Sequence, residues 1–294
     1  MKISTGEKAF YVINNILLLV ISLTCLLPLL YIVATSFSSG AAINAGKVFL
    51  WPVDFTAAAY DVLIASTNLP RYFTNSVVVT LCGTAFSMIF TILCAYPLSK
   101  KYLFSRKKIT FFVVFTMLFS GGVIPSFLLV KSLGLLDSYW ALWLTTLISP
   151  YNMLIMKSFF ESISDELNDA AKIDGCSEFR LMAQIYLPLS KAAIATISLF
   201  YGVAYWNMFL KVLMYINDTD GYTLPVLIQQ MVFQLQQLSV EGNAELSAIP
   251  GASEVISESV KSAGVVVLII PMLIVYPFLQ KYFVKGVMLG SVKG

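Results

Sequence analysis

The chain contains no histidine. That removes the side chain most often used to move protons near neutral pH, and the commonest metal ligand with it. Cysteine is sparse: Cys25, Cys82 and Cys94 lie in apolar runs and Cys176 in a polar stretch, with no CxxC pairing. Neither a metal site nor a disulfide framework is indicated. Charge is scarce as well. Charged residues make up 12% of the chain and hydrophobic ones 58%, whereas soluble domains carry about 25% charged residues. A chain of 294 residues with so little charge cannot hide its apolar surface in one core, which makes it an integral membrane protein. A phosphate-binding loop is also missing. The nearest approach, Gly40 to Val48, has one residue too many between Gly40 and Gly46, and Val48 stands where Mg²⁺ coordination needs Ser or Thr. No catalytic constellation presents itself, so the chain is read as non-enzymatic, with no cofactor of its own.

What the chain does have is apolar length. A hydrocarbon core of about 30 Å needs roughly 20 apolar residues in a helix. Six runs qualify, at about 13–34, 73–98, 109–130, 139–160, 192–213 and 262–280. The first follows Lys2 and Lys8 as a secretory signal would, but its apolar core is longer than such signals use, so it reads as a retained span. The expectation is a single all-α transmembrane domain over residues 1–294.

Lys and Arg orient it. Lys2, Lys8, Lys100, Lys101, Arg106, Lys107, Lys108, Lys157, Lys172, Arg180, Lys191, Lys281, Lys285 and Lys293 fall on one side of six spans. The other side has Lys47, Arg71, Lys131, Lys211 and Lys261, mostly at span ends. Both termini and the 161–190 loop are therefore expected in the cytoplasm. The outer 217–259 connection carries Asp218, Asp220, Glu241, Glu245, Glu254 and Glu258 with no Lys or Arg, and its 224–238 stretch reads as an amphipathic helix. Its length exceeds what a compact bundle needs.

Away from their ends the spans hold no Asp, Glu, Lys, Arg or His, Lys157 and Lys211 being counted at the ends of the fourth and fifth. Proton relays and ion pathways need such groups. A proton-coupled carrier is therefore hard to build from this chain, while a stand-alone secondary carrier working through backbone carbonyls stays as the alternative.

The polar 161–190 loop carries the sharpest local signal. Ser164 can cap a helix whose first turn holds Asp165 and Glu166, where the macrodipole favours carboxylates. Gly175 can close it in the left-handed conformation. Ile163, Leu167, Ala170, Ala171 and Asp174 recur at three- and four-residue spacing and give one narrow face. Small alanines would let that face sink into a groove on another protein, and the carboxylates of Glu166, Asp169 and Asp174 ring it. An ordinary amphipathic connector would look similar.

Asp169-Ala-Ala-x-x-Asp174-Gly175, followed by Phe179, Ile185 and Leu187-Pro-Leu189, resembles the EAA loop of ABC importer permeases. Asn75-Ser76, the Ala95–Lys100 stretch, Trp206-Asn207 and the ending from Val284 to Gly294 are similar to the carbohydrate branch, to MalG-type subunits and more closely to LplC/YtcP-like permeases. Asp169 stands where the family has the glutamate that names its motif. The resemblance implies a type I (MetI-like) importer permease fold of six transmembrane helices in the bacterial cell membrane. It implies a homologous six-span permease, two ABC ATPase subunits that bind ATP and Mg²⁺, and an extracellular solute-binding lipoprotein that delivers a carbohydrate, with no nucleic acid involved. The ATPase-coupling residues it implies are Glu166, Leu167, Asp169, Ala170, Ala171, Asp174, Gly175 and Phe179. A C-terminal tail contact would involve Lys285, Gly290 and Lys293. Aromatic faces and amides bind sugars, so Asn75, Tyr151, Asn152, Tyr205, Trp206 and Asn207 are candidates for the substrate path, although span-end aromatics also anchor at interfaces and bundle asparagines also bond between helices.

Overall fold

The computed structural model describes residues 5–119, 121–241 and 258–291. Among these residues every regular element is helical and none is a strand. Serine begins helix after helix: Ser39, Ser138, Ser149, Ser164 and Ser177 each accept a hydrogen bond from a first-turn amide. Each cap satisfies one of the donors a helix start leaves unpaired. Three helices are long and apolar enough to cross a membrane: Gly6–Ser36, Leu69–Ser99 and Glu258–Pro277.

The described residues group into two compact units. The first comprises those within Met1–Leu69 and Ile228–Ile270. Its first helix, Thr5–Ser36, keeps its large apolar side chains exposed from Phe10 to Tyr31, as suits a surface meant for lipid or another apolar chain. At its end Ala34, Ala42 and Val48 pack together. The Tyr60 hydroxyl donates to Ser36 Oγ at 2.9 Å. A second small cluster joins Ala59 and Leu63 to Val260 and Ala263.

The second unit comprises the described residues of Pro70–Leu227 and Pro271–Gly294. The Leu69–Ser99 helix turns Ser76, Val79, Gly83, Ser87, Thr91 and Ala95 inward at three- and four-residue spacing. That stripe of small residues admits the large side chains of Lys191–Trp206, which buries Ala193, Ile197, Tyr201 and Tyr205 at four-residue spacing. A β-carbon at Gly83 would come within 2.7 Å of the Tyr205 ring. Two buried pairs of hydroxyls satisfy one another here, as a bundle without water favours. Ser87 Oγ and the Tyr205 hydroxyl share a 2.9 Å bond, and Thr91 Oγ1 and the Tyr201 hydroxyl share one of 2.7 Å. Trp143 Nε1 donates to the Val79 carbonyl at 3.2 Å.

Several runs that read as straight spans are broken. The 109–130 run forms Arg106–Leu118 and Val123–Ser132, bent by 113°. Gly122 between them has φ +85°, a left-handed value that an α-helix cannot carry through. The 139–160 run forms Tyr139–Leu144 and Pro150–Glu161, because Pro150 opens a new helix under the Ser149 cap. The fifth run starts with an 83° bend between Glu178–Leu189 and Lys191–Trp206. It stops at Trp206 and resumes as Leu210–Tyr215. By contrast Pro271 and Pro277 lie inside Glu258–Ser291 without ending it. The amphipathic stretch after residue 223 is a helix, Leu224–Glu241. The 242–257 part of the outer connection lies outside the described residues.

Candidate functional site

The Asp165–Ile173 helix is built as its sequence demands. Ser164 Oγ accepts from the Glu166 amide at 3.2 Å, and Asp165 and Glu166 sit at the positive end of the helix dipole. At the other end Gly175 has φ +72°. The Gly175 amide donates to Lys172 O at 3.0 Å and the Cys176 amide to Ala171 O at 2.9 Å. That paired closure is the Schellman arrangement, and it needs a residue tolerant of positive φ at Gly175.

What holds this helix to the second unit is a buried cation. Lys100, only 6% exposed, follows the Leu69–Ser99 helix. Its Nζ lies 3.8 Å from the centre of the Tyr186 ring and 4.5 Å from that of Tyr96. It donates to Asn168 Oδ1 at 3.0 Å. One ammonium thus joins the Leu69–Ser99 helix, the Asp165–Ile173 helix and the π-helical Met182–Tyr186 turn. Burial pushes the Lys100 ammonium below its ordinary pKa, partly opposed by the Glu178 carboxylate.

Glu178 is the second node. Tyr96 and Tyr102 hydroxyls donate to its two oxygens at 2.8 and 2.7 Å, and Lys172 Nζ lies 3.5 Å away. Burial alone would raise the Glu178 carboxyl; the two tyrosine hydrogen bonds, with Lys172 and Lys100, outweigh it and hold its pKa below the ordinary value. Burial and the same carboxylate push the Tyr102 phenol up to about 12. On the exposed rim Lys101 pairs with Asp165 at 2.7 Å and keeps that carboxyl low. Arg106 and Lys157 both pair with Glu161. A cleft of about 330 Å³ opens among Lys100, Asp165, Asn168, Asp169 and Lys172.

This attachment sorts the residues expected to couple. Asn168 and Ala171 are buried against the unit. Ala171 therefore serves the chain's own packing: its small side chain lets the helix sit close, and it is not presented outward. Glu166, Leu167, Asp169, Ala170 and Asp174 are exposed, and so is Gly175. Ile173 and Phe179 are 86% and 70% exposed, large for apolar side chains on a polar segment. Leu167 on the same segment is 45% exposed. Sequence reasoning missed Lys100, Tyr102, Asn168, Glu178 and Tyr186.

Residues 76–289 match the family model described as "Binding-protein-dependent transport system inner membrane component". The chain belongs to this family. Among its relatives, the polygalacturonan/rhamnogalacturonan transport system permease protein YtcP of Bacillus subtilis (strain 168) is 45% identical, covering 94% of this chain and 96% of that one. Protein LplC of Bacillus subtilis (strain 168) is 42% identical, covering 98% and 96%. A chain from the crystal structure of a bacterial ABC transporter involved in import of the acidic polysaccharide alginate superposes with a TM-score of 0.85. It is 33% identical and covers 96% of this chain and 99% of that one. This permease has the all-helical MetI-like fold and is a multi-pass transport component of the bacterial plasma membrane.

The permease puts most of its candidate sugar contacts to structural use. Asn75 Nδ2 donates to the carbonyls of Asp220 and Tyr222 at 2.8 and 2.9 Å, beside the Arg71–Asp220 ion pair. Tyr205 and Asn152 are buried, the first bonded to Ser87. Trp206 is buried edge-on against Phe73 and lines an apolar cavity of about 510 Å³ with Thr80, Thr84, Gly202 and Met272. Asn207 is exposed, its Nδ2 turned back to Val203 O at 2.9 Å, and Tyr151 is 57% exposed. Lys285 and Gly290 belong to the Glu258–Ser291 helix. Lys293 lies outside the described residues.

Proposed function

We propose that this permease forms half of the translocation path of an ATP-driven importer for an oligosaccharide. In this reading it pairs with a homologous six-span permease, two ABC ATPase subunits that bind ATP and Mg²⁺ dock beneath, and an extracellular binding lipoprotein delivers the sugar. One domain spans the membrane six times with both termini in the cytoplasm. The three long helices, the bent 106–132 pair, the 139–161 stretch and the 192–213 run supply the six spans. The names of relatives support the substrate class: polygalacturonan and rhamnogalacturonan for one, arabinooligosaccharides for another, alginate for the structural neighbour.

One observation carries the reading. The Asp165–Ile173 helix is pinned on its inner face by Lys100 and Asn168 while Leu167, Ile173 and Phe179 stay uncovered outside. A helix held rigidly on one side and left apolar on the other is fitted to receive a moving partner. An ATPase cleft that takes Glu166, Leu167, Asp169, Ala170, Asp174 and Phe179 would push through Lys100 and Tyr186 into the bundle. ATPase closure is then the bistable element that switches the bundle between inward- and outward-open states. The tail from Lys285 reaches the same ATPase, with Gly290 and Lys293 in the contact. Among the sugar-path candidates Asn75, Tyr151, Asn152, Tyr205, Trp206 and Asn207, the exposed Tyr151 and Asn207 are the ones left to meet sugar.

The test is sugar-stimulated ATPase activity and uptake in the assembled complex, with Gly175→Pro and Asp174→Lys. Both variants should insert and assemble yet lose stimulation. Full activity in both would remove the coupling assignment. Uptake by the permease alone, without ATPase, would favour a secondary carrier instead.

A further inference from the structure

Two breaks in the spans of this permease meet at one cation. The first is Thr145–Ser149, between the Tyr139–Leu144 and Pro150–Glu161 helices. The second is Asn207–Phe209, between Lys191–Trp206 and Leu210–Tyr215. The short helices on either side, Tyr139–Leu144 and Leu210–Tyr215, pack together. Lys211, one residue into the second of these, reaches across the gap. Its Nζ donates to Thr145 O at 3.0 Å and to Thr146 Oγ1 at 2.6 Å.

Three features set this lysine apart. No carboxylate among the described residues forms an ion pair with it. An ammonium held partly out of water without a counter-ion is costly, and a ligand carboxylate would relieve that cost. Second, a lysine at a span end ordinarily extends toward the interface and its water. Lys211 instead turns back onto an interrupted helix. Third, irregular backbone at membrane depth is tolerated where it is buried in protein or lines a cavity, and paired helix breaks are where transporters bind solutes. Thr145, Asn207 and Tyr151 at or beside these breaks are exposed, so the two breaks carry a hydroxyl, an amide and an aromatic face to the surface.

We propose that Lys211 and these two breaks form an anionic-sugar site at the outer part of the path, which takes the carboxylate of a uronic-acid unit. The inference rests on the oligosaccharide-importer reading and narrows it to acidic oligosaccharides. Two relatives agree with that chemistry: one is named for polygalacturonan, and the structural neighbour for an acidic polysaccharide. The Nζ has two partners in the chain and one further hydrogen to donate. A carboxylate arriving there would supply the missing counter-charge, with Thr145 and Thr146 keeping the ammonium aimed.

The test uses the whole complex in proteoliposomes with trigalacturonate and its fully methyl-esterified form, which has the same rings without the charge. The affinity of the binding protein for each sugar is measured alongside, and uptake is run with the sugar-loaded receptor in excess. Lys211→Met should raise the half-saturating concentration for trigalacturonate at least about tenfold, the loss expected for one charge-assisted hydrogen bond. The ester should change less than about twofold, and Lys211→Arg should keep the acid preference. A second arm needs no receptor: trigalacturonate binding to the solubilised permease–ATPase complex should weaken by the same factor in Lys211→Met. Equal losses for acid and ester would make Lys211 only a strap between two broken helices and overturn the proposal. So would unchanged acid binding in Lys211→Met. If the wild type takes up neutral oligosaccharides but no acidic one, the acidic site is wrong and the importer reading stands. If it takes up no oligosaccharide of either kind, both fall.

Discussion

Replacing Lys100 by methionine keeps the length and most of the volume of the side chain and removes only its charged end. The structure sets what is lost. Two ring contacts at 3.8 and 4.5 Å disappear, each worth about 0.5–2 kcal/mol. The bond to Asn168 at 3.0 Å disappears too, a charged-donor bond of about 1.5–3 kcal/mol. Against these stands the cost of holding an ammonium away from water, which methionine does not bear. The balance is a local loss of about 1–3 kcal/mol, or roughly 5- to 150-fold in the opening of the Asp165–Ile173 helix from the bundle. Amide hydrogen exchange reads this directly: residues 165–175 should exchange faster by that factor, while the Leu69–Ser99 and Lys191–Trp206 helices keep their protection. Asn168→Ala should give a smaller change in the same residues. Tyr186→Phe should give none, because the ring remains and no other residue is bonded to its hydroxyl among the hydrogen bonds described. Unchanged exchange over 165–175 in Lys100→Met would refute the clamp. Uniform acceleration across all helices would refute it equally, by showing that Lys100 supports the whole bundle and not the attachment of one helix.

Two further outcomes follow from close contacts and charge. Gly83→Ala places a carbon 2.7 Å from the Tyr205 ring, so it should lower thermal stability by about 1–3 kcal/mol. Tyr205→Leu in the same chain should recover part of that loss, and Tyr205→Phe none, since the clash is with the ring. The Glu178 carboxyl has its pKa held below the ordinary 4.5. Its contribution to docking is therefore full above pH 4.5 and is lost as the pH falls through its lowered value. A spin label at Ile173 in an otherwise cysteine-free chain should keep one line shape from pH 8 down to about 5 and gain mobility under stronger acid. Glu178→Gln should loosen it at every pH, and a label indifferent to both would rule out Glu178 as a docking group.

Much of this permease was legible because bilayers impose simple rules. Apolar length identified where the Leu69–Ser99 and Glu258–Pro277 helices would form, since both are long and apolar with charge confined to their first turns. Ser164 and Gly175 announced the two ends of the short polar helix, because caps act through one or two neighbouring amides and need no distant partner. The breaks were less legible. Gly122, Pro150 and Pro271 look alike as interruptions in an apolar run, yet the first lies at a 113° bend, the second opens a new helix and the third stays inside one. What decides among them is whether neighbouring helices re-satisfy the freed backbone groups, and periodicity carries no trace of that.

The sequence by itself determined the membrane class, the helical content, the caps of the Asp165–Ile173 helix and the pattern of positive charge. Each depends on local composition or on residues within one turn of one another. Only the tertiary structure decided which side of that helix is attached and which is free. Ala170 and Ala171 are indistinguishable as letters, but Ala171 is buried and Ala170 exposed, because Lys100, 68 positions before Asn168 in sequence, holds the helix in one rotation. Lys211 is another case. Its place at the end of an apolar run reads as an interfacial anchor until two helix breaks bring Thr146, 65 positions earlier in sequence, to its ammonium. Contacts of that range come from packing, which sets the orientation of every helix at once, and no single segment encodes it.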